Sequence, residues 1–462
     1  MAKKAQIDDV AAYLQSLNQM GAKLGLERIA KLLDALGRPQ DSFRTIIVGG
    51  TSGKGSTVAM ISSVLTEAGY RTGRYTSPHL ASITERICID GKKISEKDFA
   101  RMITVVREAV DRMAKTERER TSGGVGGVFD HPTFFEVMTA AAFCYFKEKK
   151  IDFAVLEVGL GGRLDATNTT NDANTLVSVI TNISLEHTAI LGDTVEKIAY
   201  EKAGIIRDGG LVVTAARNEA LGVFERTCSE RNARLLVIGK GITFNRVDAG
   251  TDGQIFDADF AGKRYEHLHV PLLGRHQLEN AACVIGAIEA LRLRGVRIDD
   301  QAIMNGLKKT RWPGRMEVVQ KKPLVILDGA KDAGAMGRLR ETIEEDVEYQ
   351  KMILVIGMSS DKNIAGMVDA IAPLADKAII TAHKVAGRAA DMQIIAGRME
   401  KHSMEHMMVP DVKDAVKKAL SLAGKDDLVL VTGSLFTVAE ARELWHKSKA
   451  RWGRELSETP KR

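Results

Sequence analysis

At 462 residues the chain exceeds what one compact core accommodates and fits two or three domains of ordinary size. Hydrophobic residues make up 44% and charged residues 27%, the balance of a globular protein rather than a disordered or membrane one. The formal net charge of +6, from 66 basic and 60 acidic residues, is spread along the chain with only 5% aromatics, so no basic stripe or stacking platform for nucleic acid is present and small anionic substrates are favoured.

The N-terminal Met1-Ala2-Lys3-Lys4-Ala5-Gln6-Ile7-Asp8-Asp9 carries no apolar signal core, and no apolar run approaches transmembrane length. A cytoplasmic address with no membrane partner is expected. A helical region follows over residues 10–36, and then the apolar run Thr45-Ile46-Ile47-Val48 leads into Gly50-Thr51-Ser52-Gly53-Lys54-Gly55-Ser56-Thr57. A strand, a glycine-rich turn and a helix in that order make a phosphate-binding loop: backbone N–H groups turn inward, the helix N-terminus adds partial positive charge, and Lys54 adds a full one. The strict G-x-x-x-x-G-K-[ST] spacing is not met, because Val48 occupies the first glycine position and Gly55 follows the lysine. A nucleoside triphosphate is the expected ligand.

The segment after the loop keeps helical spacing through Val58, Met60, Ile61, Val64, Leu65 and Ala68 and stops at Gly69. Residues 114–130, charged and then glycine-rich, read as a mobile surface loop. Further strands are expected at 153–156 and 176–181, both continuous apolar or β-branched runs of the kind buried on two faces of a parallel sheet. Near Thr310-Arg311-Trp312-Pro313-Gly314-Arg315 the pattern breaks and restarts, with strands expected at 324–327, 352–356, 378–381 and 428–431. The expected architecture is α/β: an N-terminal P-loop domain with a mostly parallel sheet over 1–308, and a smaller Rossmann-like α/β domain over 309–462. Cys88, Cys144, Cys228 and Cys283 occur singly, which suggests buried thiols rather than disulfides or a zinc site.

Ligands of open parallel sheets bind beyond the carboxyl ends of the strands, where three motifs fall. They are the phosphate loop, the stretch from Glu157 through Arg163 to Asn168, and Thr181-Asn182-Ile183-Ser184-Leu185-Glu186-His187. Glu157 closes an apolar strand, so its carboxylate needs either a cation such as Mg²⁺ or a lysine or arginine partner. His187 has two readings, a ligand to a second metal or a structural hydrogen-bonding residue. Lys202, in Tyr200-Glu201-Lys202-Ala203-Gly204-Ile205-Ile206, reads from spacing alone as a snorkelling surface cation.

Over nearly its whole length the chain resembles the folylpolyglutamate synthase/dihydrofolate synthase family of the Mur ligase superfamily. The resemblance rests on Leu24-Gly25-Leu26-Glu27-Arg28-Ile29, the phosphate loop, Tyr75-Thr76-Ser77-Pro78-His79-Leu80, Thr133-Phe134-Phe135-Glu136, Glu157 to Asn168 and Glu201-Lys202-Ala203-Gly204-Ile205-Ile206. It continues in His276-Gln277-Leu278-Glu279-Asn280, Trp312-Pro313-Gly314-Arg315 and Thr432-Gly433-Ser434-Leu435-Phe436. What it implies is an ATP-dependent amide ligase that adds L-glutamate to a pteroate- or folate-like acid through an acyl phosphate, working as a monomer. In this reading Thr51, Ser52, Gly53, Lys54, Gly55 and Ser56 hold the phosphates, Asn280 meets the adenine, and Arg315 and Asp328 reach ATP from the second domain. Ser77, Glu157, His187 and Lys202 hold two Mg²⁺ ions, Lys202 as a carbamate, which replaces its reading as a surface cation. Thr133, Phe134, Phe135 and Glu136 with Leu164, Asp165 and Ala166 line the pterin pocket.

The family opens its second domain with D-G-A-H-N-P, where this chain has Asp328-Gly329-Ala330-Lys331-Asp332-Ala333. Ser52 replaces a common asparagine, and Glu186 the usual aspartate beside the metal histidine. Lys331 is expected to act with Lys54, Glu157 and Lys202 in catalysis, serving phosphate as the domains close. Two alternatives are the same chemistry on a modified pterin or other polyanionic acid, and a nucleotide-binding homologue without turnover.

Overall fold

The computed structural model describes residues 2–18, 23–121, 129–385 and 387–446. Three sheets organise them. The largest has eight strands, in the spatial order Lys92–Lys93, Ile87–Ile89, Thr72–Tyr75, Phe153–Glu157, Arg44–Gly49, Thr175–Ile180, Leu211–Thr214 and Arg234–Val237. Its six longer strands run parallel, and the two short ones pair antiparallel at one edge. The apolar runs are central because helices cover both faces: Ile46, Ile47, Val48, Val155, Leu156, Val177 and Val179 are all buried. Register then sets the chemistry. Val48 stands opposite Glu157 on one side and Val179 on the other, so the carboxyl ends of three adjacent strands open onto one place.

The expected strands in this sheet appear within a residue of their sequence limits, as Arg44–Gly49, Phe153–Glu157 and Thr175–Ile180. Those of the second series appear as Leu324–Leu327, Met352–Ile356, Lys377–Ile380 and Leu428–Thr432. They form a six-stranded sheet with Glu317–Lys321 and His406–Met408, parallel except for the antiparallel pairing of Glu317–Lys321 with Leu324–Leu327.

Three features differ from the sequence reading. The N-terminal helical region divides into Ala2–Asn18 and Glu27–Ala35. The helix Glu96–Thr121 runs through the first half of the stretch expected to be a loop, and residues 122–128 of that stretch lie outside the described residues. A separate antiparallel sheet of Ile242–Gly250, Gly253–Phe260 and Lys263–Val270 stands between the two parallel series, where no strand was expected. No helix among the described residues is long and apolar enough to cross a membrane. The four cysteines are free, and all but the half-buried Cys144 are buried.

The helix Lys54–Glu67, which leaves the phosphate loop, is held on two sides by the helices Arg275–Leu293 and Asp300–Lys309. Contact with the second is close because Gly306 has no side chain, and a Cβ there would stand 2.4 Å from the Val64 Cα. We expect Gly306→Ala to destabilise the protein by about 1–3 kcal/mol, since backbone rather than a flexible side chain must yield. Urea unfolding of the variant beside the parent measures this.

Candidate active site

The strand Arg44–Gly49 delivers the loop to the sheet end, and the loop is fixed from neighbouring elements. Gly50 has φ +128° and no room for a side chain, because a Cβ would meet the Thr181 hydroxyl. Gly53 turns at φ +86° against Asn280 of the helix Arg275–Leu293. Gly55 lies under the Trp312 ring, which a Cβ would approach to 2.5 Å. Asn182 accepts from the Thr51 amide through its backbone carbonyl and from the Ser52 amide through its side chain, at 2.9 and 3.0 Å. Thr181 Oγ1 donates to the Ser52 carbonyl at 2.7 Å, and the Thr51 hydroxyl donates to the Ser184 carbonyl. Ser56, in the first turn of the helix, is buried.

Two lysines converge on this turn. Lys54 Nζ donates to the carbonyls of Gly50 and Thr51 at 3.0 and 2.9 Å, and Lys202 Nζ donates to the Gly50 carbonyl at 2.7 Å. Lys202 is therefore no snorkelling surface cation: the helix Val195–Ala203 turns it inward, and it is 3% exposed. Burial, reinforced by the nearby Lys54 charge and opposed by Glu186 and Asp165, brings its pKa down to about 7.

Glu157 is buried and accepts the Ser77 amide at 3.0 Å. Among the described residues no lysine or arginine lies within ion-pair distance of it. Burial raises its pKa against the pull of Lys54, Arg315 and Lys331. His187 stands at the start of the short helix Thr188–Leu191 in a left-handed conformation, half-exposed, with Nε2 3.7 Å from Glu186 Oε1. Burial lowers its pKa against the pull of Glu186. No group of three or more His, Cys, Asp or Glu side chains among the described residues is placed to hold a metal ion.

Beside Glu157 lie the residues expected to take the acyl substrate. Thr133 and Glu136 form a capping box at the start of the helix Phe134–Glu148, and Glu136 also meets Arg28 at 3.2 Å. That pairing satisfies part of the Glu136 carboxylate and fixes the helix start, where Phe134 is buried and Phe135 packs on the backbone of Gly159 and near the Tyr75 ring. Asp165 is turned into the protein, where it accepts the amides of Leu160 and Thr167 and the Thr167 hydroxyl. Burial raises its pKa. Ala166 is buried, and Leu164 is half-buried.

The second series of strands supplies the opposite wall. Asp328 is buried, accepting the Met316 and Ala330 amides at 2.9 and 2.8 Å, with burial raising its pKa against Arg315. Arg315 donates to the neighbouring Gly314 carbonyl. Lys331 is half-buried, and burial lowers its pKa against the pull of Glu186, with Arg315, Lys362 and Lys54 adding to the lowering. Asp332 caps the helix Ala333–Asp346 by accepting the Ala335 amide. The sequence reading did not single out Arg338 on that helix, whose Nη2 donates to Ser52 Oγ at 3.2 Å. It joins the second series to the phosphate loop, and no local pattern marks it.

We expect Asn182→Ala to accelerate hydrogen exchange at the Ser52 amide while the Thr51 amide, which donates to backbone, stays protected. The cost in stability is about 0.5–1.5 kcal/mol. Exchange followed by mass spectrometry resolves the two.

Residues 100–288 match the Mur ligase middle domain, and residues 314–435 match the Mur ligase glutamate ligase domain. A dihydrofolate synthase/folylpolyglutamate synthase of Bacillus subtilis is 36% identical over 438 residues, spanning 94% of this chain and 98% of the relative. The structure of Mycobacterium tuberculosis folylpolyglutamate synthase complexed with ADP and AMPPCP is similar with a TM-score of 0.85 and 30% identity, over 96% of this chain and 99% of that one. Escherichia coli FolC in complex with DHPP and ADP gives a TM-score of 0.81 and 30% identity, over 94% and 97% of the two chains.

Proposed function

Because the chain belongs to the dihydrofolate synthase/folylpolyglutamate synthase family of Mur ligases, we propose that its cleft joins L-glutamate to a dihydropteroate or folate carboxylate with ATP as the activating substrate. The observation that carries this is convergence: a phosphate-binding loop from one parallel sheet faces Arg315, Lys331 and Arg338 from the other. We divide the chain at 308/309, in the last turn of the helix Asp300–Lys309, and read it as a cytoplasmic monomer.

The chemistry starts from an unreactive carboxylate. One of its oxygens attacks the γ-phosphorus of ATP, the bond to the bridging oxygen breaks, and an acyl phosphate and ADP result. The glutamate amine then attacks the acyl carbon, loses a proton to solvent, and inorganic phosphate leaves. Both steps press anions together, so the work of the protein is chiefly electrostatic. Lys54 now bonds loop carbonyls and turns to the phosphate oxygens when ATP enters, while Arg315 and Lys331 add positive charge from the other wall. Asn280 against Gly53 is placed for the adenine, with Asp328 and Arg315 reaching the nucleotide from the second series. The pterin is taken between Phe135 and the Leu164–Ala166 turn, beside Glu157. Closure of the two walls excludes water from the acyl phosphate.

Glu157 fits a divalent cation, for its carboxylate is buried beside Ser77 without an ion-pair partner among the described residues. Ser77, Glu157, His187 and a carbamylated Lys202 are the groups that would hold two Mg²⁺ ions, which when bound neutralise charge between the phosphate and the attacking carboxylate. Lys202 suits the modification because a pKa of about 7 leaves much of its amine neutral at physiological pH, the form that takes up carbon dioxide. A carbamate there also replaces repulsion of Lys54 by attraction.

The modified-acid reading rests on Lys331-Asp332-Ala333. Lys331 puts a cation among Glu186, Lys54 and Arg315, surroundings that favour a phosphate role over a changed acceptor.

ADP release measured with ATP, Mg²⁺ and glutamate against a panel of pteroates, folates and other pterins tests the assignment. Dihydropteroate or a folate is expected to stimulate it, and indifference to every pterin would remove the reading. Lys54→Ala should lower turnover on the order of 10²-fold or more without loss of fold. Turnover within about threefold of the parent would refute the role of Lys54.

Lys202→Ala should be inactive, and a small carboxylate such as acetate should restore part of the activity by standing in for the carbamate. Intact-mass measurement of the parent in bicarbonate, read against the variant, checks for the added carbon dioxide. Full activity of Lys202→Ala without added acid would eliminate the carbamate.

A further inference from the structure

The helix Ala333–Asp346 carries six charged residues, and four of them are paired while Glu341 is exposed. Arg340 meets Glu344 at 3.0 Å, and Glu345 and Asp346 are taken by Arg246 and Arg275 from outside the helix. Arg338 is the arginine without such a partner. It is half-buried, and among the described residues no carboxylate lies within ion-pair distance of it; its side chain donates instead to the neutral Ser52 hydroxyl. A guanidinium sheltered from water without a counter-ion is costly, and a hydroxyl returns only part of what an anion would. The Asp328 carboxylate acts on Arg338 only from beyond ion-pair distance and is already held by the Met316 and Ala330 amides, and the nearby His276 is brought down to a pKa of about 4 by burial, Arg338 and Arg315.

The partner hydroxyl is part of the phosphate loop, in the turn between Gly50 and Gly53. An anion held by that loop lies within reach of a side chain that already touches it. Planar guanidinium donors suit phosphate oxygens, in bidentate fashion where geometry permits. We propose that Arg338 is a nucleotide-binding residue supplied by the second domain: it bridges to Ser52 when the loop is empty and donates to the polyphosphate of the nucleotide when the loop is filled. Closure of the second domain thereby answers to phosphate in the first. The inference rests on the reading of Gly50 to Ser56 as the triphosphate site.

The test is calorimetric binding of ATP, ADP and AMP to the full chain and to Arg338→Gln and Arg338→Lys, with melting temperatures and steady-state KM for ATP. Arg338→Gln should weaken ATP roughly tenfold or more, the loss of a charge-assisted contact, and raise KM for ATP more than it lowers kcat. AMP, without the polyphosphate, should bind parent and variant alike. Arg338→Lys should recover part of the ATP affinity through its retained charge. Unchanged ATP affinity in Arg338→Gln would overturn the proposal, as would an equal loss for AMP and ATP accompanied by a lowered melting temperature, the signature of a merely structural arginine. Should Arg338→Gln not fold, the ATP-to-AMP ratio of Arg338→Lys decides in the same way. Failure of the parent to bind ATP at all would refute the phosphate-site reading itself.

Discussion

The carbonyl of Gly50 is the point on which the site depends. It accepts hydrogen bonds from two ammonium groups, Lys54 at 3.0 Å and Lys202 at 2.7 Å, in a turn with no space for a side chain. Two cations sharing one acceptor repel each other, and desolvation makes the more buried one the weaker base. Lys202 is that one. The same turn is tied to the ends of two further strands: Thr181 donates to the Gly49 and Ser52 carbonyls, and the Val158 amide, just past Glu157, donates to the Val48 carbonyl. Any change in the path of the chain at Gly50 would therefore move the phosphate loop, Glu157 and Lys202 together.

Around this point the protein gathers charges that, among the described residues, meet no lysine, arginine, aspartate or glutamate partner at ion-pair distance. Lys54, Arg315, Lys331 and Arg338 face the cleft from both walls, with Glu157, Glu186 and Asp328 among them. By contrast, charged groups away from the cleft are largely matched, as in Arg101 with Asp98 and Glu148 or Arg442 with Glu317. Exposed ion pairs add little stability, whereas unpaired buried charge costs it. The cost is concentrated around the phosphate loop, and preorganised charge of this sort spends no reorganisation energy at the moment of reaction. The second series of strands contributes to this field through Arg315, Lys331 and Arg338.

The support beneath the site is rigid for separate reasons. The helix behind the phosphate loop is packed against Asp300–Lys309 at a backbone contact permitted by Gly306, and the capping box of Thr133 and Glu136 fixes the helix that presents Phe135 to Gly159. The phosphate loop and Phe135 thus stand on elements whose own geometry is settled by packing and capping.

The strands and the phosphate loop were legible in the chain itself. A run such as Thr45-Ile46-Ile47-Val48 followed by glycines and a lysine has few alternatives, because its apolar continuity requires burial on both faces and its glycines require a turn. The resemblance carried the expected roles of Ser77, Glu157, His187 and Lys202, which bare spacing left open. The strands of the antiparallel sheet had a signal too, in the alternating burial along Gly253–Phe260 and in the tight turns at either end, but it lay beneath the stronger α/β rhythm. Three matters were decided only by tertiary structure. The helix Glu96–Thr121 continues through residues whose charges suggested a loop, because solvated charge is compatible with a helix as well as with a loop. Lys202 is buried because its helix packs with that face toward Gly50, which a lysine with apolar neighbours cannot announce. Arg338 meets Ser52 across 286 positions of sequence, and no local pattern records which distant residue a guanidinium will reach. Local periodicity sets which backbone groups and apolar faces must be buried, and so determined the elements; the pairing of charges depends on distances between elements, and only the folded arrangement of the two sheets sets those.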